Sequence, residues 1–196
     1  DNTFAVRPGH GDDLRALWSA LKEPPQRIVH LWSCEPDAKL GLDNLEASLD
    51  DGFYTLFELA KILAEHPDPV RVDVVTRNLF DITGEAAHRP ERATCLGLGS
   101  VVPLELEHIT WRHYDLGPAT EDESGCGALV PELLSLGLQQ VIALRGGHRW
   151  VRCVEPLHLG ADRAPVLREH GVYLISGGLG GIGSVLATVL AESVQA

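Results

Sequence analysis

The sequence has no methionine and only three lysines, Lys22, Lys39 and Lys61. With Asp1 at its start and no methionine, the chain is expected to be a piece of a longer polypeptide. Lys and Arg together number 16 against 28 Asp and Glu, a formal net charge of -12. Neutralising phosphates requires clustered Lys and Arg, so this balance excludes nucleic acid as a partner. The four cysteines, Cys34, Cys95, Cys126 and Cys153, stand singly with no C-x-x-C pair. That excludes the common zinc and dithiol motifs, and a chain of 196 residues needs no disulfide staples. Reduced thiols in a cytoplasmic protein are expected. No apolar run is long enough to cross a membrane. No basic segment, apolar stretch and small-residue cleavage site open the chain, so no secretory signal is expected.

What remains reads as ordinary globular material, 44% hydrophobic and 22% charged. Strand and helix patterns alternate along it, which predicts α/β architecture. "FAVRPG" (Phe4 to Gly9) alternates into a Pro-Gly turn and predicts a short strand. Leu14, Leu17, Trp18 and Leu21 follow at helical spacing, ending at Pro24-Pro25. "RIVHLWS" (Arg27 to Ser33) predicts a buried strand, and Cys34 to Asp50 an irregular loop. "DGFYTLFELAKILAEH" predicts a helix with Phe53, Leu56, Phe57, Ala60 and Leu63 on its buried face. Val70 to Asn78 reads as a strand, Pro90 onward as a helix ending near Pro103, and Ile109 to Leu116 as another strand. A polar loop over "GPATEDESGCG" precedes a helix with Pro131 in its first turn. "VIALRGGHRWVRCV" predicts a hairpin turning at Gly146-Gly147.

Near the end comes "GVYLISGGLGGIGSVLATVL". Val172 to Ile175 predicts a buried strand, Gly178-Leu179-Gly180-Gly181-Ile182-Gly183 fits G-x-G-x-x-G, and Ser184 to Ala191 predicts a helix. Glycines at this spacing permit a tight turn, close approach of backbone to a pyrophosphate, and close helix-strand packing. The helix N-terminus offers unpaired N-H groups to phosphate. No Lys follows Gly183, which excludes a nucleotide-triphosphate loop.

Ser176 to Gly183 resembles the T-G-G-L-G-G-I-G signature that opens the catalytic subdomain of modular polyketide synthase ketoreductases, in the short-chain dehydrogenase/reductase superfamily, with Ser in place of Thr. "RIVHLWS", "GFYTLFELAKIL", "VDVVTRN", "GLGSVVPLE" and "WRHYDL" resemble, in order, segments of the structural subdomain that braces the catalytic half. The resemblance implies a truncated Rossmann-like structural subdomain over residues 1–160, a linker over 161–170, and the first βα unit of an NADP-binding Rossmann fold over 171–196. It implies NADPH as cofactor of the intact domain, held through Gly177, Leu179, Gly180, Gly181, Ile182 and Gly183. The implied reaction is reduction of a carrier-bound β-ketoacyl thioester to the β-hydroxyacyl thioester. The implied partners are an acyl carrier protein and other domains of the same synthase. No enoylreductase is inserted between the linker and the glycine loop.

In the family a Tyr protonates the carbonyl oxygen with Ser and Lys assisting, and these residues lie beyond the glycine loop. Tyr54, Tyr114 and Tyr173 are followed four positions on by Glu58, Pro118 and Gly177, so no Y-x-x-x-K or Y-x-x-x-N occurs. A doubly wound domain has roughly six strands, and this catalytic segment supplies one. The isolated chain is therefore expected to reduce nothing, with no catalytic residue and no metal ligand assigned. Its last segment is expected to be stable only when packed on the first 160 residues or on a partner chain. The alternative reading is a pseudo-ketoreductase that keeps the fold as a scaffold, such as one beside a methyltransferase.

Other features read as structure. "LDD" (Leu49 to Asp51) resembles a stereochemical marker that belongs to the catalytic half, so capping by Asp50 or Asp51 is the expectation. His30 is expected to be a hydrogen-bonded buried histidine, and Trp18, Trp32, Trp111 and Trp150 to serve packing. Arg145, His148, Arg149 and Arg152 could steer an acidic carrier protein, but a solvated hairpin is the simpler account. Glu121, Asp122 and Glu123 read as a solvated loop.

Overall fold

A computed structural model describes residues 3–34, 44–85, 89–118, 124–137, 139–158 and 166–196, and within these the side chains of 124–126 are not described. The acids at 121–123 and the cysteine at 126 therefore lie outside the description. The chain divides into two compact units, Asp1–Cys153 and Val154–Ala196.

The first unit is built on a five-stranded sheet in the order β1 (Arg27–His30), β2 (Val70–Arg77), β3 (Ile109–Leu116), β4 (Val141–Arg145), β5 (His148–Val151). The first four strands are parallel and β5 returns antiparallel. The long central strands β2 and β3 are buried on both faces, as parallel sheets demand, and β2 is rich in β-branched residues. Gly146 and Gly147, with φ of 52° and 76°, make the two-residue turn between β4 and β5.

Alternation along the strands separates two cores. On one face Val70, Val72 and Val74 of β2 and Ile109 and Trp111 of β3 pack against α3 (Thr55–Ala64) and α4 (Thr94–Glu105). On the other, Val75, Tyr114, Leu116, Ile142 and Leu144 pack against Leu129 of α5 (Ser124–Leu134). Gly99 lets α4 approach Trp111 closely, since a Cβ there would lie 2.9 Å from the indole ring. The sheet advances in one direction while α3 and α4 lie on one face and α5 on the other. The β3–α5–β4 crossover thus has the opposite hand to the two before it, against the strong uniformity of such connections.

A buried charge cluster holds α5 on its face. Arg71 Nη1 donates to Ser135 O at 2.8 Å and Nη2 to Leu133 O at 3.0 Å. Arg112 Nη1 donates to Ser135 O at 3.0 Å, Arg27 donates to Leu133 O, and the Tyr114 hydroxyl donates to Glu132 O at 3.1 Å. Arg27 and Arg71 also share the fully buried Asp73 carboxylate, at 2.8 and 2.9 Å. Cations thus satisfy the carbonyls at the negative end of the helix.

Several expectations are corrected. Phe4 to Gly9 forms no strand; the Arg7 N–H goes to the Asp13 carboxylate of α1 (Gly11–Ala20) at 3.1 Å instead of to a ladder. β1 stops at His30, and Trp32–Cys34 turns as a 3-10 helix. Of the expected loop from Cys34 to Asp50, residues 35–43 lie outside the description. Its end is helical: α2 (Leu45–Leu49) runs through a π-helical turn (Asp50–Tyr54) into α3. Asp50 and Asp51 therefore sit inside a continuous helical run and do not cap its start. The Thr55 hydroxyl donates to Asp50 O at 2.6 Å and accepts the Gly9 N–H at 2.7 Å, which pins the π turn.

The buried face of α3 is Leu56, Leu59, Ala60, Ile62 and Leu63, while Phe57 is exposed and stacks on Phe53 at 6.1 Å. Leu56, Leu59, Ala60 and Leu63 keep the i, i+3, i+4, i+7 spacing, and Phe57 falls outside that stripe. α4 runs past Pro103 to Glu105. Pro131 lies late in α5, which begins at Ser124, before the predicted start. Trp111 is buried and Trp18 packs at the edge of the first core, but Trp150 is exposed on β5.

Candidate functional site

The second unit carries the glycine loop. Gly177 has φ of 77°, a conformation open to glycine and strained for other residues. The Gly180 N–H donates to Gly177 O at 3.0 Å and closes the turn. Gly180 is the N-cap of α6 (Gly181–Val194), earlier and longer than the Ser184 to Ala191 predicted. The Ser184 N–H donates to Gly180 O at 2.9 Å, the first intrahelical bond. Gly181, Ile182 and Gly183 occupy the positions whose N–H groups have no intrahelical partner, and the N-cap makes no side-chain hydrogen bond. The helix start therefore presents three backbone donors and the positive end of the dipole.

The glycines have different jobs. A Cβ on Gly183 would lie 2.7 Å from Gly178 Cα and 2.9 Å from the Gly177 carbonyl carbon, and closer still to its oxygen. Only glycine lets α6 begin against the turn. A Cβ on Gly181 would meet nothing within 4 Å. That is open space at a helix N-terminus, where a ligand can approach the backbone. The Leu179 and Ile182 side chains are exposed, so any part they play in binding an anion falls to their amides.

Val172 to Ile175 differs from its expectation. It pairs with no strand among the described residues, and Val172 and Leu174 are fully exposed. A strand exists through its ladder, and the described residues of this unit provide no neighbour. α6 likewise exposes Ile182, Val185, Leu186 and Val189.

The Tyr173 hydroxyl is engaged with the Arg168 backbone, accepting its N–H at 2.7 Å and donating to its carbonyl at 3.0 Å. Tyr114 is buried under α5, and burial pushes its phenol up. Tyr54 is exposed on the π turn of the first unit.

At the carboxyl ends of the sheet strands the first unit holds a buried polar group that sequence patterning did not reveal. Asp115 accepts from Thr76 Oγ1 at 2.9 Å, the Leu79 N–H at 3.0 Å, the Phe80 N–H at 3.1 Å and Arg145 Nη2 at 2.7 Å. Arg145 also pairs with Glu85. Arg145 thus does not belong to a solvated basic patch. His148, Arg149 and Arg152 do lie at the exposed hairpin, with Arg149 paired to Glu132 at 2.7 Å. Beside this group His113 bonds Thr76 at 2.9 Å, and burial pushes it down to about 4. Burial also pushes His30 down to about 4, against a backbone hydrogen bond to Asp51. Among the described residues no group of three or more His, Cys, Asp or Glu is placed to hold a metal ion. No helix among them is long and apolar enough to cross a membrane.

The mostly parallel α/β sheet of the first unit matches the Rossmann-like fold of short-chain dehydrogenase/reductases. A short-chain dehydrogenase/reductase from Vibrio parahaemolyticus shares that fold at a TM-score of 0.52 and 14% identity, over 71% of this chain and 76% of that one. More specific likenesses follow. A multidomain structure with adenylation, ketoreductase and pseudo Asub domains, from a keto acid-selecting NRPS module, superposes over 97% of this chain and 16% of its own, at a TM-score of 0.82 and 27% identity. The first ketoreductase of the tylosin PKS superposes over 92% of this chain and 36% of its own, at 0.68 and 24%. An A1-type ketoreductase does so over 93% and 37%, at 0.62 and 25%. The chain therefore has the fold of polyketide-synthase-type ketoreductases along nearly its whole described length, while spanning little more than a third of their chains. A family model described as beta-ketoacyl synthase-like, N-terminal, matches residues 1–91. No curated protein matches the sequence.

Proposed function

We propose that this chain is the structural subdomain and the opening of the nucleotide-binding subdomain of an assembly-line ketoreductase, and that the intact domain reduces a carrier-bound β-ketoacyl thioester with NADPH. The observation that carries the reading is the glycine loop: three unpartnered backbone N–H groups at the start of α6, and open space over Gly181 for a pyrophosphate. In this reading the amides of Gly181, Ile182 and Gly183 hold the pyrophosphate, Gly177 shapes the turn, and Gly183 seats the helix. The bound nicotinamide supplies hydride to the ketone. The chain's own residues bind and orient the cofactor and move no proton. A carrier protein delivers the substrate.

The test joins this chain, at its equivalent position, to the remainder of a solved polyketide ketoreductase and follows NADPH oxidation with a β-ketoacyl thioester. Turnover is expected for the joined protein and none for the 196-residue chain. Turnover by the chain alone, or no cofactor binding by the joined protein, overturns the reading. A second reading draws support from the 0.82 TM-score with the keto acid-selecting module: the ketone is that of a carrier-bound keto acid. Comparing α-keto with β-keto thioesters in the joined protein separates the two.

A further inference from the structure

The first unit has the topology that makes ligand crevices, and it has filled its own. In open α/β sheets, ligands bind outside the carboxyl ends of adjacent parallel strands whose connections leave for opposite faces. Here β2 leads to α4 on one face and its neighbour β3 leads to α5 on the other. The crevice between their ends is the place for a phosphate. Asp115, at that end of β3, is fully buried. Both of its oxygens are used. Oδ1 takes the Thr76 hydroxyl and the Leu79 N–H, and Oδ2 takes the Phe80 N–H and Arg145 Nη2.

Those donors are the ones a phosphate site uses: successive backbone amides, a hydroxyl and a guanidinium. Asn78, just before the two amides, has φ of 58°, and a left-handed residue turns consecutive N–H groups into an anion-binding concavity. The donors are also fixed independently of Asp115's carboxylate. Arg145 is held by Glu85, by Asp115 O at 2.9 Å, Leu144 O at 3.0 Å and Phe80 O at 2.9 Å, and Thr76 by His113 at 2.9 Å. We propose that the Asp115 carboxylate is a built-in ligand of an oxyanion pocket at the sheet's switch point, and that this side chain closes the first unit to phosphate-bearing ligands. The pocket's chemical class of ligand is a small carboxylate or phosphate oxyanion. The proposal is independent of the reaction assigned to the intact domain.

The test uses Asp115→Ala and Asp115→Asn in the full chain, with thermal melts and refolding yield in sodium formate against sodium chloride at equal ionic strength. Chloride controls for screening. In Asp115→Ala the carboxylate is gone and its donors remain. Formate is expected to raise the melting temperature saturably, or to restore folding to a chain that does not fold without it. The wild type and Asp115→Asn, whose pockets are filled, are expected to show no formate response. Asp115→Asn keeps the shape but replaces an acceptor by a donor, so it is expected to melt lower, with the Leu79 and Phe80 amides exchanging about tenfold faster. An Asp115→Ala chain indifferent to formate, or an Asp115→Asn chain as stable as wild type, overturns the proposal.

Discussion

Two chemically identical substitutions, Gly183→Ala and Gly181→Ala, separate the two jobs assigned to the glycine loop. Both lie in the first turn of α6, so both gain the same intrinsic preference of Ala over Gly, at most about 1 kcal/mol. They differ in what the new methyl meets. At Gly183 it lies 2.7 Å from Gly178 Cα, where ordinary contact begins at 3.4 Å. The obstructing atoms are backbone, so the turn and the helix must part by about 0.7 Å, and overpacking of this kind costs about 1–3 kcal/mol. At Gly181 the methyl meets nothing. The intrinsic gains cancel in the comparison. The opening equilibrium of α6 should therefore be between about fivefold and a hundredfold greater in Gly183→Ala than in Gly181→Ala. Amide hydrogen exchange on peptides covering Gly181–Val194 reads this directly. In the joined protein, Gly181→Ala should keep the helix and weaken NADPH binding, because the methyl occupies the approach to the amides. Equal exchange in the two variants would refute the steric assignment of Gly183, and undiminished NADPH affinity in Gly181→Ala would refute the ligand approach.

Three further outcomes follow from the first unit. His30 and His113 are pushed down to about 4 by burial; the unfolded chain, with ordinary values near 6.5, binds more protons between those limits, so stability is full at neutral pH and is lost as pH falls from about 6.5 toward 4, by about 1.4 kcal/mol per pH unit for each histidine. Urea unfolding at pH 7 and pH 5 checks it, and a flat profile contradicts the burial of both rings. Arg71→Ala strips Asp73 of one cation and the end of α5 of one cap, and should cost about 3–5 kcal/mol in chemical denaturation; a loss under 1 kcal/mol would mean Arg27 and Arg112 suffice. With a thiol reagent Cys153, which is exposed, should react fast, and Cys95, buried and with its thiol pushed up by burial, only on unfolding; Cys153→Ser should remove a fast phase.

Short-range patterns were legible in the sequence. The strand β2 announces itself as a β-branched run, the hairpin by its paired glycines, and the glycine loop by spacing that encodes backbone geometry within a few residues. What depended on tertiary context was not. Arg145 follows an apolar run and precedes two glycines, so alternation put it in solvent; only the folded sheet brings Glu85 and Asp115 to it. The apolar character of Phe57 places it on the buried stripe, but the buried face of α3 centres on Leu59 and Leu63 and leaves Phe57 outside it. Three scattered arginines carry no periodic signal, yet Arg27, Arg71 and Arg112 meet because the register sets Arg27 beside Arg71 and Arg112 beside Asp73. Val172 to Ile175 has a strand's composition, but pairing is a property of two segments and composition reports one.

The strand order of the first unit is the order of the chain itself. Each strand pairs with the one made just before it, and no later strand is inserted between two earlier ones. On a ribosome, such a sheet can be laid down from one edge, each new ladder forming on a template already in place. Each parallel pairing, such as Arg27 with Arg71 or Val70 with Ile109, must still close a whole crossover first, and that loop closure sets the pace of each step. The antiparallel β5 then ends the series: it turns back on β4 and leaves all four of its residues exposed. The ladders of this platform are all made within the first unit, and none of them draws on the segment that carries the glycine loop.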